Sequence, residues 1–215
     1  DKFAQAAALF KELVAELTIP LHVLPGNHDV GDKLSEWTPA VCIEDEFLRL
    51  YREEFGDDFY AFQHAGVNFI ILNVPLLNSG LQSERDQRVW LEEYLQNHEG
   101  ERFIFNIHYP VFLATRHEDP HYDNLDEPGR TWLIELLEKY NVEALFAGFE
   151  AQAMQISSVE TQAGETRIYL ASGLSGASRG RQLAAAQLAA AALPSGSGGI
   201  TLIEHRADKV IQQVT

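Results

Sequence analysis

The sequence predicts an α/β domain in which mixed β-sheets are flanked by helices. Amphipathic helical segments alternate with short apolar runs in the first two-thirds of the chain, and paired β-rich runs dominate the rest. The chain of 215 residues contains 46% hydrophobic and 22% charged residues, values ordinary for one globular domain of good size. We therefore expect residues 1–215 to form a single domain.

The first half of the chain contains periodic segments separated by clear breaks. In order, they predict a helix at 3–17, a buried strand at 21–25, a helix at 44–55, a hairpin at 59–74, a helix at 84–97 and a strand at 102–107. Pro20 ends the first helix because proline cannot donate the backbone hydrogen bond that a helix needs. Ala65-Gly66 divides the hairpin into two β-rich runs.

The second half begins with a polar loop at 115–127 and ends in further β-rich runs. The pattern predicts a helix at 130–140, a strand at 142–148, and hairpins that pair 153–160 with 166–172 and 200–206 with 209–214. Residues 180–199 are Ala-rich and then Gly/Ser-rich. This low-complexity composition is typical of a surface helix followed by a flexible loop.

The charge balance restricts the possible partners. The net charge is −16, from 32 acidic and 16 basic residues, so the protein repels nucleic-acid backbones and anionic membranes. We expect neither as a partner, and no run approaches the ~20 apolar residues of a membrane span. Cys42 is the single cysteine, which excludes an internal disulfide framework and fits a reducing compartment such as the cytoplasm. The same negative field can concentrate metal cations.

The sharpest local motif is Gly26-Asn27-His28-Asp29, directly after the predicted strand at 21–25. The carboxyl ends of strands are where α/β proteins place ligand sites. Asn27 offers a neutral oxygen to a metal, His28 can act as ligand or proton donor, and Asp29 can orient that imidazole. Asn, Gly and Asp are also common in ordinary turns, so this spacing alone leaves both interpretations open.

A second motif places His108 at the end of the predicted strand at 102–107, with Pro110 fixing the chain just beyond. A histidine held this rigidly suits a metal ligand. Taken alone, however, a solvent-facing or hydrogen-bonded histidine at a strand terminus is the favoured interpretation.

Five segments occur together in an order that resembles the calcineurin-like metallophosphoesterases. They are PLHVLPGNHDVGD, FYAFQHAGVNFIILN, QRVWLEEYL, FNIHYPVF and RTWLIELLEKYNVEALFAG, and the resemblance covers residues 3–148 well. The resemblance implies a sandwich of two mixed β-sheets with helices outside. It also implies a pair of divalent metal ions, with Mn, Fe or Zn as expected cofactors in a complete domain.

The resemblance assigns roles to individual residues. Asn27 and His108 are similar to the asparagine and histidine ligands of the second metal. His28 is similar to the histidine that contacts the phosphate and protonates the leaving group, and Asp29 would hold His28.

The sequence also departs from the family pattern. The family's Asp-x-His and Gly-Asp-x-x-Asp blocks do not precede Asn27, so we expect a domain lacking its N-terminal metal-binding blocks. Where the family has Gly-His-x-His, this chain has Gly148-Phe149-Glu150-Ala151. Glu150 is the one residue there that offers a carboxylate ligand. Metal binding by this chain is therefore expected to be weak or partial.

Two functions remain in competition. The first is metal-dependent hydrolysis of phosphate mono- or diesters, with a small phosphorylated molecule as substrate. The alternative is a catalytically silent relative that serves as a binding or scaffolding module.

Other polar residues are weaker candidates. The acidic loop at 115–127 is expected to be solvated, although it could also overhang the site or bind a divalent ion. Arg85 and Arg130 could meet a phosphate or form salt bridges on a helix surface.

Overall fold

The computed structural model describes residues 2–35, 38, 40–140 and 142–148, together with two later strands. The helices are α1 (Lys2–Val14), α2 (Asn27–Val30), α3 (Asp45–Phe55), α4 (Gln82–Asn97) and α5 (Gly129–Lys139), and a 3₁₀ turn covers Val74–Leu76. The strands are β1 (Tyr60–His64), β2 (Val67–Ile71), β3 (Arg102–Ile107), β4 (Val142–Ala147), β5 (Gln155–Thr161) and β6 (Gly164–Leu170).

These strands form a mixed sheet with the order β1-β2-β3-β4-β6-β5. The central strands β2, β3, β4 and β6 run parallel, and the edge strands β1 and β5 pair antiparallel to their neighbours. This arrangement confirms the predicted α/β class. The segments 180–199, 200–206 and 209–214 lie outside the described residues.

The first hairpin forms where the sequence predicts it. β1 and β2 pair antiparallel from Tyr60 opposite Ile71 to His64 opposite Val67. Ala65 and Gly66 connect them with φ angles of +50° and +76°. Positive φ at both central residues is the geometry that matches the twist of a two-residue hairpin.

The buried strand predicted at 21–25 is wrong. Within the described residues the segment has no strand pairing, and most of it is only partly buried. Its contacts run through side chains: the Tyr60 hydroxyl donates to the Val23 carbonyl at 2.9 Å, and His22 stacks on Phe62 with 3.4 Å between ring centroids. An apolar run becomes a strand only where a neighbouring backbone can pair with it.

The main core lies between the sheet and the helices α4 and α5. Phe103, Phe105 and Ile107 of β3 are fully buried in one cluster with leucines of both helices. β3 has a parallel strand on each side, so its sequence is nearly continuous in apolar residues. This burial fixes the end of β3, where His108 follows.

A smaller cluster anchors α2, the short helix that begins at Asn27. Val30 of α2 is fully buried against Leu48 and Tyr51 of α3.

Among the described residues, every helix is too short or too polar to span a lipid bilayer.

Gly31 lets the chain pass close to its own backbone just after α2. The residue has φ +93° and ψ 159°, and a Cβ there would lie 2.8 Å from the Cα of Ile43. This close approach lets the Asp32 amide donate to the Val41 carbonyl at 2.9 Å. It also lets the Asp32 carbonyl accept from the Ile43 amide at 2.7 Å. The position of Asp32 therefore depends on a glycine before it.

We expect Gly31→Ala to destabilise the protein more than Gly56→Ala. Gly56 has φ +86° and ψ −153°, but a Cβ added there would meet no atom within 4 Å. Gly56→Ala should lower the free energy of unfolding by about 1–3 kcal/mol through backbone strain alone. In Gly31→Ala the same strain is present, and the contact of the new Cβ with the Ile43 backbone should lower the free energy of unfolding by about 2 kcal/mol more. Urea unfolding of both variants measures the difference, and equal losses would contradict the packing role of Gly31.

Candidate metal centre

The two residues predicted as ligands of one metal lie in contact. Asn27 is the first residue of α2, and His108 directly follows β3, 81 positions later in the chain. The Asn27 Oδ1 and His108 Nε2 atoms are 2.9 Å apart. The fold thus brings together the two motifs that the sequence analysis singled out.

The orientation of the Asn27 amide is set by its other contacts. Its Nδ2 group donates to Asp32 Oδ1 at 2.6 Å and to the Tyr122 hydroxyl at 3.0 Å. Because the nitrogen side faces these acceptors, the oxygen side faces His108. The His108 Nε2 atom therefore carries the hydrogen and donates to Asn27 Oδ1.

Asp32 is the centre of this hydrogen-bond network. The residue is fully buried, and besides Asn27 it accepts from the Tyr109 hydroxyl at 2.7 Å and from the Tyr122 hydroxyl at 3.3 Å. Burial, reinforced by Asp32, raises the pKa of both tyrosines, so both hydroxyls remain donors. A buried carboxylate needs such donors, since an unsatisfied one would be costly.

Close packing explains the glycine in the motif. A Cβ on Gly26 would lie 3.0 Å from His108 Cε1, so any other residue here would push this imidazole out of its position. The Gly26 amide also donates to Asp29 Oδ2 at 2.8 Å, which ties Asp29 to the start of α2. The predicted role of Asp29 in orienting His28 stays a prediction. His28 itself is exposed at the surface of the site.

The environment keeps His108 neutral. Burial lowers the pKa of His108 to about 4, His28 also acts to lower it, and Asp32 acts in the opposite direction. A neutral imidazole is the form that binds a metal, because a protonated ring has no free lone pair.

The pair offers two ligand atoms to one cation. Divalent metals accept both amide oxygens and neutral imidazole nitrogens, and a hydrogen bond joins these two atoms at 2.9 Å. In the described part of the chain, however, no group of three His, Cys, Asp or Glu side chains is placed to hold a metal ion. Further ligands would have to come from elsewhere, and Glu150 lies outside the described residues.

The acidic loop packs more closely on the site than the favoured expectation of a solvated loop implied. Tyr122 reaches Asn27, so the loop overhangs the site. Lys33 is buried beneath it and donates to the carbonyls of His121 and Asn124 and to the carboxylate of Asp126 at 3.0 Å. The expectation of a merely solvated loop is therefore wrong for this part.

Arg130 also has a role that the sequence analysis did not assign. Its side chain is buried, and it donates to the carbonyls of Leu125 at 2.7 Å and Glu118 at 2.6 Å. Both roles expected from the sequence, a phosphate ligand and a surface salt bridge, are wrong because the guanidinium is enclosed by the loop's own backbone.

Four residues of the site were not singled out from the sequence: Asp32, Lys33, Tyr109 and Tyr122. Weak signals were present, because Asp32 ends the segment PLHVLPGNHDVGD that carries the first motif, and Tyr109 adjoins His108. Nothing in the sequence indicated Tyr122, whose contact with Asn27 joins positions 95 residues apart.

Comparison with known proteins agrees with the geometry. A family model described as calcineurin-like phosphoesterase matches residues 2–148. A relative named serine/threonine-protein phosphatase CPPED1 from Homo sapiens is 33% identical over 140 residues, covering 60% of this chain and 41% of the relative. The mouse protein of that name is 31% identical over 136 residues, with the same coverage of both chains.

A bacterial relative carries a different name. The probable glycerophosphodiester phosphodiesterase GpdQ of Arcobacter nitrofigilis is 29% identical over 152 residues, covering 65% of this chain and 48% of the relative. The matched part of this chain thus spans less than half the length of each of these curated relatives.

Glu118 should make the stability of the loop depend on pH. Burial acts to raise its pKa, but hydrogen bonds from the amides of Leu113, Ala114 and Thr115 and from Asn124 outweigh this, and the pKa is lowered. A lowered pKa stabilises the fold above the unfolded-state pKa of about 4.3, and the effect is lost as pH falls through the folded-state pKa.

We therefore expect Glu118→Gln to lower the free energy of unfolding by about 1–3 kcal/mol at neutral pH. The difference from the wild type should shrink below pH ~4, where the wild-type carboxyl is protonated too. Asp119→Asn is the matched control, because Asp119 is exposed in the same loop. A gap that is constant from neutral to acidic pH would show that the charge of Glu118 does not matter.

Proposed function

Because this chain belongs to the calcineurin-like phosphoesterase family, we propose that it hydrolyses mono- or diesters of a small phosphorylated substrate with the help of divalent metal ions. The contact between Asn27 and His108 is the observation that carries the proposal. The names of the matched relatives, a phosphatase and a phosphodiesterase, are consistent with both kinds of ester.

Asn27 and His108 would hold one metal ion through Oδ1 and Nε2. A divalent metal supplies Lewis-acid polarisation of the phosphate and a nucleophilic hydroxide at neutral pH. The net charge of −16 repels a phosphate, and a bound cation would reverse this field locally. To bind a metal, the His108 ring must change tautomer so that Nε2 has its lone pair free.

His28 is the residue positioned to meet the substrate. Its side chain is exposed, and it lies near enough to affect the pKa of His108 electrostatically. A protonated imidazole there would donate to a phosphate oxygen and pass its proton to the departing alcohol oxygen. Asp29 keeps the first turn of α2 in place through the Gly26 amide.

Asp32 acts through Asn27 and is a positioning residue. The carboxylate holds the Asn27 nitrogen, so the amide oxygen points toward His108. An amide with one end fixed loses less conformational freedom on binding a metal than a free one.

We expect His28→Ala to lower the rate of aryl phosphate ester hydrolysis about 100-fold or more in the presence of Mn²⁺ or Zn²⁺. His64→Ala is the matched control. His64 is exposed and pairs with Val67, which in turn pairs with Arg102 at the start of β3, so it lies at the opposite end of the strands from His108. Hydrolysis that is unaffected by His28→Ala, or absent with every metal, would reject the proposal.

A silent binding module remains the second candidate. It is favoured by Phe149 and Ala151 in the expected Gly-His-x-His positions, and by the absence of a third ligand among the described residues. Such a module would retain the fold without holding a metal.

Elemental analysis of the purified chain separates the two candidates. The enzyme proposal predicts bound Mn, Fe or Zn that falls by about tenfold or more in His108→Ala and Asn27→Ala. His98→Ala serves as control, since the His98 ring nitrogen contacts its own helix at the carbonyl of Tyr94, at 2.8 Å. The same trace metal content in all four proteins would favour the silent module.

A further inference from the structure

A cleft of about 580 Å³ opens on the surface at the start of β1, between the α3–β1 connection and α4. None of the residues assigned to the metal centre lines it. Four aromatic residues line it, Tyr60 and a wall of Phe59, Trp90 and Tyr94, together with the acidic residues Asp57, Asp58 and Asp86. The cleft is therefore lined by a different set of residues from the metal centre.

The aromatic wall is continuous. Trp90 and Tyr94 are four residues apart on α4 and so project from the same face of the helix. Their ring centroids are 5.8 Å apart at an angle of 36°, and Phe59 and Trp90 are 5.3 Å apart at 47°. The Tyr94 hydroxyl donates to Asn68 at 2.8 Å, which fixes the ring in place. All three side chains are partly exposed.

The charges in the cleft favour a cation. Arg52 also lines it, but its guanidinium pairs with the buried carboxylate of Asp58 at 2.6 Å. Asp86 accepts from the neutral Gln82 amide at 2.7 Å. Asp57 is exposed and has no partner among the described residues. Within this part of the chain, two carboxylates thus remain without a cationic partner beside the rings.

We propose that this cleft binds a small organic cation with an alkylated ammonium group. Aromatic faces attract cations through the ring quadrupole, and a quaternary ammonium is weakly hydrated, so it enters such a site at low cost. A metal ion would need several oxygen ligands and would lose its water shell to apolar rings. An anion would meet Asp57 and Asp86.

Choline is a suitable probe, and its uncharged isostere 3,3-dimethylbutan-1-ol has the same shape without the charge. Binding to the 215-residue chain is followed by NMR through the indole N–H signal of Trp90, at constant ionic strength. The indole of Trp132, which donates to Glu92 at 2.8 Å, serves as the internal control. We expect choline to shift the Trp90 signal with a dissociation constant of about 1 mM, and the isostere to bind about fivefold or more weakly.

Variants separate the contribution of the two carboxylates to choline binding from that of the aromatic rings. The Asp57→Asn/Asp86→Asn double variant should weaken choline binding about fivefold and leave the isostere unaffected. Glu93→Gln, an exposed carboxylate elsewhere on α4, is the matched control. Trp90→Leu should abolish choline binding, followed through the Tyr94 ring signals, with circular dichroism confirming the fold.

Three results would overturn the proposal: no shift of Trp90 with choline, equal affinity for the isostere, or unchanged choline binding in the double variant. Equal affinity would identify an apolar groove. Choline binding that persists in His28→Ala while hydrolysis is lost would show that the two sites are independent.

Discussion

The buried carboxylate of Asp32 is the group on which the arrangement of the site depends. It lies where Gly31 allows two backbone segments to meet, and it accepts hydrogen bonds from Asn27, Tyr109 and Tyr122. These donors come from α2, from the residues after β3, and from the loop above the site. One side chain thus joins three separate parts of the chain, and it sets which end of the Asn27 amide faces His108.

The loop above the site is held by buried charges. Lys33 is buried, and burial lowers its pKa, although Asp126 partly counteracts the effect. Its ammonium group bonds to two loop carbonyls, and Glu118 accepts from three successive backbone amides of the same loop. This polar loop has too few apolar side chains to form a core of its own. Charged groups with many hydrogen-bond partners hold it in place instead. These contacts hold the loop against the site, and Tyr122 contacts Asn27 from it.

Elements defined by local pattern were predictable, and contacts over long distances were not. β3 and the β1–β2 hairpin follow from an apolar run and from Ala65-Gly66, both of which are local signals. The run at 21–25 has the same apolar character, but strand formation depends on a partner that a single sequence does not specify. The pairing of Asn27 with His108 was accessible only through the family resemblance, and the burial of Arg130 by the loop's own carbonyls had no local signal.

The tautomer of the His108 ring shows whether this histidine and Asn27 form a metal site. Nitrogen-15 NMR of the histidine rings, before and after one equivalent of Zn²⁺, reports which ring nitrogen carries hydrogen. We expect a neutral ring with hydrogen on Nε2 in the metal-free protein, donated to Asn27, and a change to hydrogen on Nδ1 when Zn²⁺ binds. A His108 ring that is protonated at neutral pH, or that keeps its Nε2 hydrogen with Zn²⁺ present, would contradict the account.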